Sequence, residues 1–565
     1  MTTRGCLARA SDSRHGLALV AAAGGLFLWL VGTQLWRPLM YDDANFAFGA
    51  RASAETGRPF GNQGWMSDRG DYSQRNQWAL WHPPLYVALL GAALKLPLPP
   101  SVALRLPGVL GGLATAAATA LLAGEVSAGG WPRKGLSGGI AAATALLSPL
   151  FVQSALILDI DFPLLLPGML LFLWLYLRLE PGRSWPLLVP VFALLLWAKM
   201  TNPLPLVAAL VAWQLLRGRP RRAIAHGATI GAGGAALFAV TWLLVATALG
   251  APADMPFAVN LVQWQDSADV ARRAYAGLNQ FLEGVQPAAL WLGPGLVGLG
   301  LAGAALRVAQ LARRWDVRKV DLLIILLAPL VLGYVNKSAG WFPKYQVVLA
   351  PLLAAIGAPM AAGVLARQPR SLGAVALGAA VATGLLTQNA IGDDWALSRT
   401  WTLDPAQALP LAAVLVVALA AGVLMHEPGV APLVLAAVAV GWGLGIDVDQ
   451  RAAPYATGYW YGTTGTDAAA RWVDAHVAPS QTYVAAKEVA WRAHAQRYVD
   501  QDTILAFVET GRPLGSTWQG EPITAVVAWT REPYVAERLG GALPAMGFHQ
   551  TTRLGDYVVY EPDSP

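Results

Sequence analysis

The sequence predicts a polytopic α-helical membrane protein with a small soluble α/β domain at its C-terminal end. Three observations carry this. Apolar runs about as long as a bilayer is thick recur between residues 16 and 446. Charged residues make up 13% of the chain, about half the share of an ordinary soluble protein, and the mean hydropathy is +0.46. Basic residues cluster between alternate apolar runs, the positive-inside pattern.

The first run, 16–36, follows Arg4, Arg9 and Arg14. It is too long for a removed leader and lacks a small-residue cleavage site, so it reads as a retained helix with an inner N-terminus. It exits into a first outer loop, 37–100, which opens on Tyr41-Asp42-Asp43-Ala44-Asn45-Phe46. The apolar stretch 84–96 begins with a double proline, Pro83-Pro84, and is short for a crossing. It reads as a re-entrant or amphipathic helix on the outer face. Only then does Trp131-Pro132-Arg133-Lys134, between spans 101–123 and 137–157, fall inside.

Spans 162–177, 185–200 and 203–216 follow, the last two joined by Thr201-Asn202-Pro203. Arg178 and Arg183, then Arg217, Arg219, Arg221 and Arg222, mark their inner ends. Spans 225–249, 288–310, 320–335, 345–366, 371–390, 406–425 and 429–446 bring the count to about thirteen. Arg313, Arg314, Arg318, Lys319, Arg367 and Arg370 mark further inner ends. Residues 1–446 thus form a transmembrane domain.

Residues 447–565 read as an extracytoplasmic α/β domain of ordinary size. Within it 467–477 has helical pattern, with Thr466 or Asp467 as its cap. Residues 482–486, 523–529 and 557–560 have strand pattern. The single cysteine, Cys6, excludes a disulfide within the chain. The net charge of +6 is accounted for by the inter-span clusters and does not indicate nucleic acid. Nothing resembles a Walker loop, a dinucleotide fingerprint or a nucleophile elbow, which disfavours nucleotide-driven transport and serine hydrolysis.

The predicted topology collects unusual polar residues on the outer side. Asp42 and Asp43 follow the first span. Asp159 and Asp161 lie in Leu158-Asp159-Ile160-Asp161-Phe162-Pro163, where one span exits and the next begins. Carboxylates at a membrane face are costly unless they bind or pair. They can act as a general base or hold a hard divalent cation; Asp161, just ahead of a proline, can equally cap a helix. Lys199, Lys337 and Lys344 break the positive-inside pattern. A lysine at this depth suits a phosphate or snorkels to the interface. Trp78-Ala79-Leu80-Trp81-His82-Pro83-Pro84-Leu85-Tyr86 suits an interfacial aromatic belt. His82 within it can ligate metal or donate to a phosphate, but no second histidine stands at structural-zinc spacing.

Four segments together resemble a family. They are Tyr41-Asp42-Asp43-Ala44-Asn45-Phe46-Ala47; His82-Pro83-Pro84-Leu85-Tyr86 followed by Arg105-Leu106-Pro107; Leu158-Asp159-Ile160-Asp161-Phe162-Pro163-Leu164; and Lys344-Tyr345. Over residues 16–360 the chain resembles the polyprenyl-phosphate-sugar-dependent GT-C glycosyltransferases, in the group of protein O-mannosyltransferases and lipid A aminoarabinose transferases. The resemblance implies an inverting transfer of a sugar from a polyprenyl phosphate at the outer face of the membrane, which the richness in Ala, Gly, Arg and Trp marks as a bacterial inner membrane. The acceptor would be a hydroxyl or phosphate of a lipid, glycan or protein.

By position, Asp42 would be the general base, Asp43 its assistant or a cation ligand, and Asp161 a wall of the same cavity, with Asp159 and Tyr345 nearby. Lys199, Lys344, Lys337, Arg105 and His82 would hold the donor phosphate. Any divalent metal would sit at Asp43 and His82. The chain departs from the family where Trp81-His82-Pro83 replaces Glu-Lys-Pro, since that Glu contributes to a metal site in the aminoarabinose transferases. Asp43 also stands where Glu is commoner. Two other readings remain: a lipid-linked substrate transporter or flippase, for which inverted repeats are expected, and a non-catalytic membrane scaffold.

Overall fold

The computed structural model describes residues 3–60, 78–127, 134–257, 291–338, 343–388, 430–452 and 464–563. It omits Met40, Trp81, Arg183, Gln496, Gln519 and residues 367–368, 502–503, 506–507, 509–515 and 531–532 within them. The expected span 406–425, most of the loop 250–287 and the aromatic group Tyr455, Tyr459, Trp460 and Tyr461 lie outside the described residues. The chain divides into two compact units. One comprises Met1–Leu35, Arg105–Val245 and Phe257–Ala453; the other comprises Trp36–Leu104, Ala246–Pro256 and Pro454–Pro565.

Seven described helices are long and apolar enough to cross a membrane, eight if one bent pair counts as a span. The protein is therefore a multi-pass membrane protein. The first unit begins with α1 (Thr3–Gly32). The next two helices, α2 (Tyr41–Thr56) and α3 (Leu85–Leu94), belong to the second unit, and α4 (Pro100–Val126) enters the first from Arg105 onward. Next come α5 (Lys134–Leu146) and α6 (Pro149–Leu156), which the sequence reads as one span. They are bent by 64° at Leu147-Ser148, where Pro149 cannot donate to a continuing helix.

After α6 a π-helical turn, Asp161–Leu165, leads into α7 (Leu166–Leu179). Pro163 lies in that turn and has no N–H, so the ladder opens from i→i+4 to i→i+5. Then follow α8 (Leu188–Ala198), α9 (Leu204–Leu216), α10 (Pro220–His226), α11 (Gly233–Leu249), α12 (Pro294–Arg313) and α13 (Lys319–Ser338). A 3-10 turn, Pro343–Val348, opens α14 (Leu349–Leu365), and α15 (Pro369–Thr387) and α16 (Val430–Ala452) complete the unit. The α14 window is buried along its whole length, so this helix is the centre of the bundle. Three of the thirteen expected spans fall on shorter apolar helices, Trp185–Ala198, Leu204–Leu216 and Ser371–Thr387, and one, 406–425, lies outside the described residues. Leu85–Leu94, which the sequence reads as not crossing, is short as well. The ten residues of α3 rise only about 15 Å, half a hydrocarbon core.

Two polar clusters mark the ends of the α7 span. At its far end Glu180 takes Arg217, Arg219 and Arg222 at 3.2, 3.0 and 3.0 Å. Nearby loops join in: Glu125 pairs with Arg178 and Lys319, and the Trp213 indole donates to the Arg318 carbonyl at 2.9 Å. These helix ends carry the basic clusters that the sequence assigned to one side. Asp161, at the start, is separated from Glu180 by 19 residues of helix, about 28 Å and close to the thickness of the hydrocarbon core. Close packing holds the near end in place: a Cβ on Gly111 of α4 would lie 2.6 Å from the Pro163 carbonyl oxygen.

In the second unit, α17 (Thr466–His476), β1 (Thr482–Ala485), α18 (Lys487–Arg492), β2 (Tyr498–Asp500), β3 (Thr517–Trp518), β4 (Glu521–Trp529), α19 (Pro533–Ala545), β5 (Phe548–Leu554) and β6 (Tyr557–Pro562) follow in order. The strands run β2-β1-β4-β6-β5, with β3 beside β4. β1 is parallel to β2 and β4, and β6 is antiparallel to β4 and β5. Val484, Val526, Leu539, Leu543, Phe548 and Val558 form its core. The N-cap of α17 is Gly465 at φ +90°, and neither expected capping side chain bonds there. The turn needs a positive φ, which favours glycine.

Candidate functional site

In the first unit three chain segments converge on Asp161. The π-turn presents the aspartate itself, 3% exposed. α8 ends at Ala198, and Lys199 leaves it in extended conformation, φ −158° and ψ 124°. Its ammonium donates to Asp161 Oδ2 at 2.6 Å. Three residues on, in the joint before α9, Asn202 Nδ2 donates to Asp161 Oδ1 at 3.0 Å. Both carboxylate oxygens are thus engaged, and the lysine is 6% exposed. The Tyr345 ring, in the 3-10 turn before α14, lies 5.2 Å from the Lys199 ammonium, within cation–π range.

Asp159 performs the local task that Asp161 was eligible for. Its Oδ1 accepts the backbone N–H groups of Ile160 at 2.6 Å and Asp161 at 3.4 Å. It turns the chain into the π-turn and frees Asp161 for Lys199. Arg105 is buried to 1% exposure. Its Nε donates to the Leu156 carbonyl at 2.8 Å and its Nη1 to the Leu35 carbonyl at 3.0 Å, bracing the ends of α6 and α1. Asn202 was legible in the sequence only as part of a joint; the signal was an amide three residues beyond an off-pattern lysine.

In the second unit, Asp43 lies in α2 and is 1% exposed. His82 is half-buried, ahead of α3. Asp42 is in α2, Lys337 in α13 and Lys344 in the 3-10 turn by backbone; their side chains lie outside the described residues. The structure joins Asp159, Asp161, Lys199 and Tyr345 in one cluster. Among the described residues no group of three or more His, Cys, Asp or Glu is placed to hold a metal ion.

The C-terminal domain brings a further carboxyl to α2. Glu488 on α18 is 4% exposed and accepts the Tyr557 hydroxyl at 2.7 Å. Burial pushes its carboxyl up from the ordinary range; the bonds to Tyr557 and the backbone and the charge of Lys487 oppose this, and the charge of Asp43 adds to it. Neighbouring Lys487 pairs with buried Asp500 at 2.8 Å.

No protein-family model matches the chain, and no curated protein does. Solved structures do match. ArnT from Cupriavidus metallidurans bound to undecaprenyl phosphate aligns over 96% of this chain and 97% of its own, at 17% identity and a TM-score of 0.57. The apo state of the same protein gives 18% and 0.53 over the same shares. The Archaeoglobus fulgidus oligosaccharyltransferase in the apo form aligns over 97% of this chain and 74% of its own, at 13% identity and a TM-score of 0.51.

Two outcomes test this geometry. Lys199→Met leaves Asp161 as a lone buried charge and should destabilise the protein by about 3–5 kcal/mol; adding Asp161→Asn should recover part of the loss. Thermal unfolding in detergent checks both. The raised carboxyl of Glu488 makes its ionisation oppose folding. Its cost is absent below the ordinary glutamate range and grows as pH rises through the folded-state value. Glu488→Gln should therefore match wild type in melting temperature near pH 4 and exceed it increasingly as pH rises. The chain has the GT-C fold of these transferases.

Proposed function

We propose that the protein is a membrane glycosyltransferase that moves a sugar from a polyprenyl-phosphate donor to a hydroxyl or phosphate acceptor, on the outer side of a bacterial cytoplasmic membrane. The observation that carries the reading is the buried cluster of Asp161, Lys199, Asn202 and Tyr345 at one end of the α7 span. A fixed cation at bilayer depth beside an aromatic ring suits a lipid-borne phosphate. The full-length likeness to ArnT bound to undecaprenyl phosphate supports the same donor class.

In this reading Asp42 is the general base. It takes the proton of the acceptor hydroxyl as that oxygen bonds to the anomeric carbon. The bond from the anomeric carbon to the phosphate oxygen breaks on the opposite face, which inverts the centre. The leaving group is an already ionised lipid phosphate, so it needs positive charge rather than an acid. Lys199 supplies that charge, with Lys344 and Lys337 as further donors and His82 at the first loop. Asp161 and Asn202 hold the Lys199 ammonium at a fixed point, so little reorganisation is needed as charge develops. Asp43 supports the base. Arg105 contributes through the frame it braces. No step in this reading runs through a metal ion.

The transporter reading needs no fixed base. Membranes containing the protein, fed a panel of radiolabelled undecaprenyl-phosphate sugars, should pass label to a lipid, glycan or protein acceptor. Asp42→Asn should reduce that transfer by about 10²-fold or more, the scale of a general base. Equal transfer by wild type and variant rejects Asp42 as the base. Release of intact donor to the opposite leaflet without transfer favours the flippase.

A further inference from the structure

The proposed chemistry gives the C-terminal domain no role of its own, and the packing of α2 supplies one. This helix carries Asp42-Asp43 and packs on α18. Phe48 stacks on Tyr498 of β2, with ring centroids 5.2 Å apart and planes at 22°, and meets the Trp491 ring edge-on at 5.4 Å. The Arg51 guanidinium lies 3.7 Å from the Trp491 ring centroid, and its Nη2 donates to the Trp491 carbonyl at 3.3 Å. Trp491 and Tyr498 are 8% and 3% exposed.

Asp43, Ala47 and Arg51 stand at i, i+4 and i+8, so they share one face of α2. Glu488 and Trp491 stand at i and i+3 on α18. Phe48 packs on Trp491 and Tyr498 and Arg51 sits on Trp491, so α2 is held at two points. Two points fix rotation about the axis as well as position. Position 42 is about 100° around α2 from position 43, and its direction follows from that rotation.

α18 is itself tethered. Lys487 pairs with Asp500 of β2, Glu488 accepts from Tyr557 of β6, and Arg492 pairs with Asp467 of α17. The Tyr557 hydroxyl also lies 3.1 Å from the Thr466 hydroxyl. The sheet thus holds α18, and α18 holds α2.

We propose that the C-terminal domain acts in the reaction by fixing the acid-bearing helix α2, with Trp491 as the positioning residue and Arg51 as its partner. This rests on the reading of Asp42 as general base. It makes the domain an integral part of the catalytic frame rather than a detachable module for acceptor binding. Misplacing a base by about 1 Å can cost on the order of 10²-fold in rate while leaving substrate affinity intact.

The test uses the full-length protein in lipid nanodiscs with the undecaprenyl-phosphate sugar that wild type consumes in the panel above. Trp491→Ala and Arg51→Met should each lower kcat by about tenfold or more and leave donor and acceptor KM within about threefold. Trp491→Phe keeps an aromatic face and should restore kcat to within about threefold of wild type. Arg51→Met leaves the C-terminal domain unaltered, so its result stands even if Trp491→Ala unfolds that domain. Trypsin should cut after Arg51 faster in Trp491→Ala than in wild type.

Wild-type kcat in both variants overturns the proposal. So does a loss confined to acceptor KM, which would make the domain an acceptor-binding module. If wild type consumes no donor in the panel, the glycosyltransferase reading fails on its own. Trypsin then still decides the docking: faster cutting after Arg51 supports it, and unchanged cutting overturns it.

Discussion

The ion pair between Asp161 and Lys199 is the constraint on which the rest of the membrane unit depends. Two charges taken out of water at the end of a span are tolerable only when each meets a partner of good geometry. The fold supplies that geometry from three separate segments. Pro163 opens the start of α7 into a π-turn, Asp159 binds the two N–H groups that shape it, and Gly111 lets α4 close against it. The lysine arrives from the end of α8 and the amide from the joint that follows. The opposite end of α7 is held by one glutamate among three arginines. Between these clusters lies about one hydrocarbon thickness of apolar helix.

Much of this was legible in the sequence because membranes impose simple rules. Length, hydropathy and basic clusters are enough to group Arg178, Arg217, Arg219, Arg222, Arg318 and Lys319 at one side, and shared carboxylates join those helix ends in the structure. They also single out Asp161 and Lys199 as out of place. What they do not encode is a break. Residues 137–157 read as one apolar run, yet Ser148-Pro149 bends it. Short helices such as Leu204–Leu216 have the composition of a span without its length. The pairing of Asp161 with Lys199 rather than with a backbone N–H was likewise hidden, since an aspartate before a proline has both options and only tertiary packing chooses.

The C-terminal domain was legible in part. β1, β4 and β6 are largely buried apolar runs and were expected at nearly their observed positions. β2, β3 and β5 are short or polar on one side and give a weak signal. The expected cap at Thr466 or Asp467 gave way to Gly465 because the turn requires a positive φ. Most informative is what no local pattern predicts. The first loop and the C-terminal domain, separated by some four hundred residues, form one compact unit through Phe48, Arg51, Trp491 and Tyr498. Long-range packing of this kind has no periodicity to read.

The central claim is that the buried cluster around Lys199 receives a lipid phosphate. Native mass spectrometry of the purified protein with undecaprenyl phosphate tests this without knowledge of the sugar or the acceptor. The account predicts retained lipid on wild type, and at least about tenfold weaker retention by Lys199→Met when the variant is folded, as expected for loss of a charge-assisted contact to an anion. Equal retention by wild type and a folded Lys199→Met would contradict it.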